Sequence, residues 1–157
     1  MTRQEFIGCV ERSQKSLRRF LVSVCSGDVS LAEDLAQESY LKAYMASGNF
    51  NNKDAFTSWI LKIGYNTFLN YLRAQRPNIP IEEAKGFDSG NRSDDSFKYE
   101  NLYQALEDLP VREKSAIVLY YLEGYSTKEI SEILEINDEA VRQGLSRGRK
   151  RLKSLLM

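Results

Sequence analysis

The chain is predicted to be all-α: two small helical domains joined by a flexible acidic linker, the second domain carrying a helix-turn-helix. Three observations predict this. No segment sustains an apolar alternation of period two, the mark of a half-buried strand. Capping residues stand directly before segments whose apolar side chains recur three and four apart. The stretch 78–96 alone is poor in apolar residues and rich in Gly, Ser, Asn and Asp, with Pro77 and Pro80 at its start. The boundaries that follow are 1–77 for the first domain, 78–96 for the linker and 97–157 for the second domain.

A first helix is expected over residues 2–26, with Phe6, Val10, Leu17, Phe20, Leu21 and Val24 on its apolar stripe. A second follows Ser30, with Glu33 completing a capping box, and stops near Ala46, before Ser47-Gly48-Asn49. Leu35, Tyr40 and Leu41 are its expected packing side. A third covers residues 54–75, with Phe56, Trp59, Ile60, Ile63, Phe68, Leu69 and Leu72 available for the core. Four shorter helices follow, over 97–108, 110–123, 127–134 and 138–156. Pro110 suits a first helical turn and Gly124 a helix stop. Tyr120 and Tyr121 read as packing residues. Each domain alone buries only a modest core, so little stability is expected from either without a partner.

The last thirty-two residues are the most informative. Ser126 and Glu129 form a capping box, and Ile130, Ile133 and Leu134 share one face. Asn137 caps the next helix, where Asp138 and Glu139 meet the positive end of its dipole. Val141, Leu145, Gly148 and Leu152 turn inward. Glu139, Arg142, Gln143, Ser146, Arg147 and Lys150 occupy the opposite face. From Arg142 onward there are six basic residues and no acidic one, although the chain as a whole has 22 of each sign. The positive charge therefore belongs to one helix, and that local asymmetry is what a phosphate backbone senses. Arg and Gln near the start of a second helix suit the DNA major groove. A helical hairpin with a solvated basic face is the plainer alternative.

Composition removes several classes of function. There is no histidine to act as a general base or metal ligand. Cys9 and Cys25 are too few for a metal site and too far apart along a helix for a disulfide, so both are expected as buried free thiols. The first residues lack the basic-then-apolar pattern of a signal peptide, and no apolar run approaches the ~18 residues that span a bilayer. A cytoplasmic protein without membrane insertion, catalytic residues, metal or cofactor is expected.

In the first domain, Asp34, Gln37 and Glu38 lie along one side of the second helix. Spacing alone leaves open a docking surface for a basic partner or an ordinary solvated face. Lys62, Asn66 and Asn70 stand one turn apart on the third helix, with Arg73 beyond them; amides beside cations suit unstacked bases and their backbone. Tyr65 and Tyr71 could add stacking, and Trp59 reads as core.

Ala32-Glu33-Asp34-Leu35-Ala36-Gln37-Glu38-Ser39-Tyr40 resembles the Asp-Leu-x-Gln-Glu-x-Phe motif of bacterial sigma factors. The segment from Phe56-Thr-Ser-Trp59 to Asn66 and Arg73 resembles the family's next helix. Leu109-Pro110, Leu122-Glu123-Gly124 and Glu129-Ile130 resemble the opening of its promoter-reading fourth region. With only these two domains, the chain is similar to the extracytoplasmic-function group. The resemblance implies that Asp34, Gln37 and Glu38 bind core RNA polymerase. It implies that Asn66, with Lys62, Asn70, Arg73 and the loop 49–54, holds the −10 element of promoter DNA. It implies that Arg142, Gln143 and Ser146 read the −35 element while Arg147, Arg149 and Lys150 hold phosphates. Arg151 and Lys153 read as merely solvated. The linker would thread through the polymerase, and an anti-sigma factor is a partner that the resemblance admits.

Two positions depart from the family's pattern. Glu135 stands where the turn often has Gly, and a non-Gly residue in a left-handed turn costs about 1–2 kcal/mol. Ala140 stands where Thr is frequent, which removes one hydroxyl contact to phosphate. The runner-up is a stand-alone helix-turn-helix regulator whose first domain senses a ligand or dimerises. A small nuclease is a distant third, since no carboxylate, histidine or cysteine constellation supports it.

Overall fold

The computed structural model describes residues 1–78 and 100–156, and among these every regular element is helical. The first block comprises α1 (Arg3–Val24), α2 (Val29–Ala46) and α3 (Phe56–Gln75), with short 3-10 turns at Ser47–Asn49 and Lys53–Ala55. The second comprises α4 (Glu100–Glu107), α5 (Val111–Ile117) continued by a π-helical turn (Val118–Leu122), α6 (Thr127–Leu134) and α7 (Asp138–Leu156). The expected linker, apart from Asn78, and the expected start of α4 at 97–99 lie outside the described residues.

Local chemistry explains where the helices start and stop. Thr2 and Glu5 form a capping box ahead of α1, which the sequence reading passed over. Asp28, rather than Ser30, caps α2: its carboxylate accepts from the Leu31 amide at 3.1 Å. Ser30 is thus already helical, and Glu33 is free to pair elsewhere. Between α1 and α2 the chain reverses through Ser26 and Gly27, both at positive φ. Gly124, at φ 76°, ends the π-helical turn, as expected of a glycine stop. The Ser126/Glu129 box opens α6 as expected. Glu135 closes α6 in the left-handed conformation, at φ 57° and ψ 42°.

In the first block α1, α2 and α3 pack pairwise. Leu17, Phe20, Leu21 and Val24 from α1 meet Leu35 and Ala36 from α2 and Ile60, Leu61 and Phe68 from α3, all essentially buried. In the second block α7 lies against α5 and α6 through Val141 and Leu145. The blocks do not stand apart. α6 packs on α3, while α4, α5 and the π-helical turn reach α1, so the buried side chains form one continuous cluster. Neither block relies on its own modest core alone.

Three expectations about packing are overturned. Leu41 is 62% exposed, because Ala32, Leu35, Ala36, Ser39 and Ala43 already fill the inner side of α2. Tyr120 and Tyr121 are exposed, since the π-helical turn rotates them off the face that carries Val118 and Leu119 inward. Tyr65 is buried and unavailable for stacking on a base.

Glycines set two of the closest helix contacts. A Cβ on Gly64 would lie 2.7 Å from Leu17 Cδ1, and one on Gly148 would lie 2.9 Å from Ile117 Cγ1. Both neighbours are buried and cannot swing away. A Cβ on Gly144 would find only ordinary contacts, the nearest 3.8 Å from Ala116. Alanine gains about 1 kcal/mol of helix propensity over glycine, whereas overpacking costs about 1–3 kcal/mol. Urea unfolding should therefore show Gly64→Ala and Gly148→Ala as destabilised and Gly144→Ala as stabilised by up to ~1 kcal/mol.

Candidate nucleic-acid interface

Three polar faces emerge, one each on α2, α3 and α7. On α2 the buried stripe turns Asp34, Gln37 and Glu38 outward, and all three are exposed. Glu38 pairs loosely with Lys42 at 3.5 Å. The Gln37 amide donates to Glu33 at 3.5 Å, and Glu33 takes a bidentate pair from Arg18 at 2.7 and 2.9 Å. That guanidinium holds the Glu33 carboxyl below its usual range. The face continues into Leu41, Tyr44 and Met45, which are also exposed. Leu41 lies seven residues beyond Asp34 and so on the same face, a signal that was legible in the spacing.

On α3 the aromatic cluster at the N-terminal end fixes the helix: Phe50 stacks on Trp59 at 4.2 Å, and Phe56 meets both rings edge-on. Trp59 is thus a half-buried packing residue, as expected. Lys62, Asn66 and Asn70 follow at successive turns, with Arg73 beyond. Asn70 and Arg73 are exposed, and Arg73 Nη1 donates to Asn70 Oδ1 at 3.1 Å. Lys62 and Asn66 are half-buried because the second block reaches them. Asn66 Nδ2 donates to Glu135 Oε1 at 3.1 Å, and Lys62 Nζ lies 3.8 Å from the same oxygen. Sequence reading singled out Glu135 for its backbone and missed its side chain.

On α7 Asn137 Oδ1 accepts from the Ala140 amide at 2.7 Å, the cap expected from the sequence. Val141, Gly144, Leu145 and Gly148 are buried; Arg142, Gln143, Arg147, Arg149 and Lys150 are exposed, and Ser146 is half-buried. Arg142 lies 3.7 Å from Asp138, an exposed contact too weak to hold the guanidinium away from another acceptor. Arg149 donates to the Tyr121 hydroxyl at 3.0 Å. Arg151 is not merely solvated: its Nε donates to the largely buried Glu113 at 2.8 Å and ties α7 to α5. The polar faces of α7 and α3 remain separate, while α6 and the turn that follows it reach α3.

Among the described residues no cluster of metal-ligating side chains occurs, and no helix is long and apolar enough to cross a membrane. Cys9 and Cys25 are buried free thiols, and burial pushes the Cys25 thiol well above its usual range.

Two family models match the chain: "Sigma-70 region 2" over residues 9–77 and "Sigma-70, region 4" over residues 99–152. The "ECF RNA polymerase sigma-E factor" of Salmonella typhimurium LT2 is 36% identical over 142 residues, covering 81% of this chain and 73% of that protein. Among solved structures, the sigma factor RpoE in complex with the anti-sigma factor NepR, from Bartonella quintana, superposes with a TM-score of 0.77 at 24% identity. That match covers 98% of this chain and 97% of the other. CnrH in complex with the cytosolic domain of CnrY gives 0.75 at 22% identity, over 99% and 89%. These two structures speak for the fold alone.

Where the second block meets α1 and α3, α5 delivers a fully buried lysine, Lys114. Its ammonium lies 6.0 Å from the Phe68 ring centroid on α3. Burial lowers its pKa from 10.5 to about 8. Between about pH 8 and 10.5 the unfolded chain then holds a proton that the folded chain lacks, so stability rises with pH across that window. The Cys25 thiol, raised by burial from 9.0, acts oppositely within that window, and the phenols of Tyr40 and Tyr125, also raised by burial, do so above pH 10. Urea unfolding at about pH 8 and 9.5 should therefore show the parent gaining about 1–2 kcal/mol relative to Lys114→Met, whose own stability falls across the interval through Cys25.

Proposed function

Because the chain belongs to the extracytoplasmic-function group of sigma-70 factors, we propose that its three polar faces divide the work of that family among them. As a sigma factor it binds core RNA polymerase, recognises promoter DNA and promotes initiation; it is not an enzyme. The division assigns α2, through Asp34, Gln37 and Glu38, to the polymerase. It assigns α3, through Asn66 with Lys62, Asn70 and Arg73, to the −10 element. It assigns α7 to the −35 element, with Arg142, Gln143 and Ser146 toward base edges and Arg147, Arg149 and Lys150 toward phosphates. The corresponding domains are 1–77 and 97–157, joined by 78–96. The place of action is the cytoplasm, where the polymerase is. An anti-sigma factor belongs to the same proposal, as NepR does for RpoE.

The exposure pattern of α7 carries this reading. One side is sealed by Val141, Gly144, Leu145 and Gly148, while the other presents Arg142 and Gln143 within the first turns. A helix docked end-on into the major groove needs that arrangement, because base edges are reachable only from its N-terminal turns. Arginine pairs with guanine and glutamine with adenine through two hydrogen bonds each. Lys150 lies two turns further on, where the groove wall is phosphate.

Holoenzyme binding to a randomised −35 element at several salt concentrations separates the two kinds of contact. Arg142→Ala should change the preferred sequences, at a cost of ~1–3 kcal/mol on the best site. Lys150→Ala should weaken all sequences alike and reduce the salt slope by about one unit. Uniform weakening by Arg142→Ala would make that residue a backbone contact. The α2 face is tested by reversing Asp34 and Glu38 to Lys. A polymerase pull-down should lose the complex while thermal stability moves by less than ~0.5 kcal/mol, and unaltered affinity would remove the assignment.

A further inference from the structure

Glu135 combines two unusual features. It is one of two non-glycine residues at positive φ among the described residues, in a turn that glycine would make without strain. Its side chain, though 55% exposed, reaches across to α3. There one oxygen, Oε1, accepts from Asn66 Nδ2 at 3.1 Å and lies 3.8 Å from Lys62 Nζ. An anionic oxygen facing an amide and an ammonium one helical turn apart is what a phosphodiester or a base carbonyl would offer to the same pair. Strain held at a position whose side chain occupies other residues' donors points to a functional contact.

The surroundings show what that contact controls. α6 packs along α3, and a second clasp lies at the π-helical turn. There the Glu123 carboxylate, 1% exposed, takes Arg19 Nε at 2.6 Å and Nη2 at 2.8 Å. The face of α2 with Asp34, Gln37 and Glu38 and the face of α7 with Arg142 and Gln143 stay exposed in this arrangement. Of the three faces, that of α3 is covered in part, at Lys62 and Asn66, while Asn70 and Arg73 stay exposed. Lys114, buried between the blocks against Phe68, burdens the closed form with desolvation of an ammonium. The closure thus joins a shared apolar seam and a few charged contacts, with a buried amine working against both, which suits a state that must open.

We propose that Glu135 acts as a built-in nucleic-acid mimic: in the closed chain its carboxylate occupies Asn66 and Lys62, so α3 cannot take promoter DNA until α6 moves away. The partner that it displaces is a single DNA strand. This rests on the reading of α3 as the −10 face. Polymerase can dock on α2 while the mask is in place, so docking precedes reading.

The test uses the full-length chain and a fluorescein-labelled, random-sequence, twelve-nucleotide single-stranded DNA, with hydrogen exchange of α3 and α6 as a readout that needs no DNA. Glu135→Gln should speed exchange across the α3–α6 contact and tighten probe binding by about 3–10-fold, as the competent fraction rises. Glu135→Gly, which also relieves the turn, should bind at least as tightly, and Lys114→Met should bind more weakly than the parent. The gain should vanish when Asn66→Ala and Lys62→Ala are already present. Unchanged exchange in Glu135→Gln, or a gain that survives those two substitutions, overturns the mask. Faster exchange with probe affinity indifferent to both Asn66 and Glu135 overturns instead the assignment of α3 to DNA, and the mask with it.

Discussion

The burial of α5 and α6 against α1 and α3 is the constraint on which the rest of the molecule depends. Four helices of 18–22 residues and three of seven or eight, divided between two blocks, make two cores that are each too small to be generously stable alone. Packed together, they share one apolar cluster that runs from Phe20 and Phe68 through Leu119 to Ile130 and Val141. The polar residues caught at the seam then determine its character. Glu123 pairs with Arg19, Glu135 accepts from Asn66 and lies near Lys62, while Lys114 is desolvated. Glu123 is the buried carboxylate of the two, so loss of Arg19 should cost more than loss of the half-exposed Lys62–Glu135 contact, which in solvent is worth about 0–1 kcal/mol.

Much of the molecule was legible in the sequence because it is written in local chemistry. The Ser126/Glu129 box, the Asn137 cap, the Gly124 stop and the inward spacing of Val141 and Leu145 each depend on residues within a few turns of one another. The faces of α2 and α7 follow from the same periodicity. What the sequence withheld is long-range. Nothing near Lys114 in the chain announces that Phe68 will lie over it, and nothing near Glu135 announces Asn66. Tyr120 and Tyr121 were misread for a related reason: a π-helical turn breaks the 3.6-residue period on which their inward placement was based. Leu41 was misread because small residues, Ala32, Ala36 and Ala43, fill the inner side of α2, leaving a large apolar residue outside.

For a sigma factor this distribution of covered and uncovered faces has a functional logic. A chain that exposes its polymerase face but covers the helix proposed to hold a melted strand would engage DNA only as part of the holoenzyme. Helix α7, proposed for the −35 element, needs no such cover, because phosphate contacts of the kind assigned to it are individually modest and salt-sensitive. α1 to α3 are tied to one another by buried Leu17, Leu21 and Ile60; the second block is attached to them through the Arg19 and Glu135 contacts, the α6 packing on α3, and α4, α5 and the π-helical turn against α1.

The shared core of the free chain, and its parting on the polymerase, can be measured as a distance. Spin labels at the exposed positions Ser30, on α2, and Glu132, on α6, would report the separation of the two blocks in the full-length chain, since Cys9 and Cys25 are buried. Electron-electron double resonance should give a single short distance in the free chain and a longer one after addition of core RNA polymerase. A broad, long distribution in the free chain, or a short distance that persists in the holoenzyme, would contradict it.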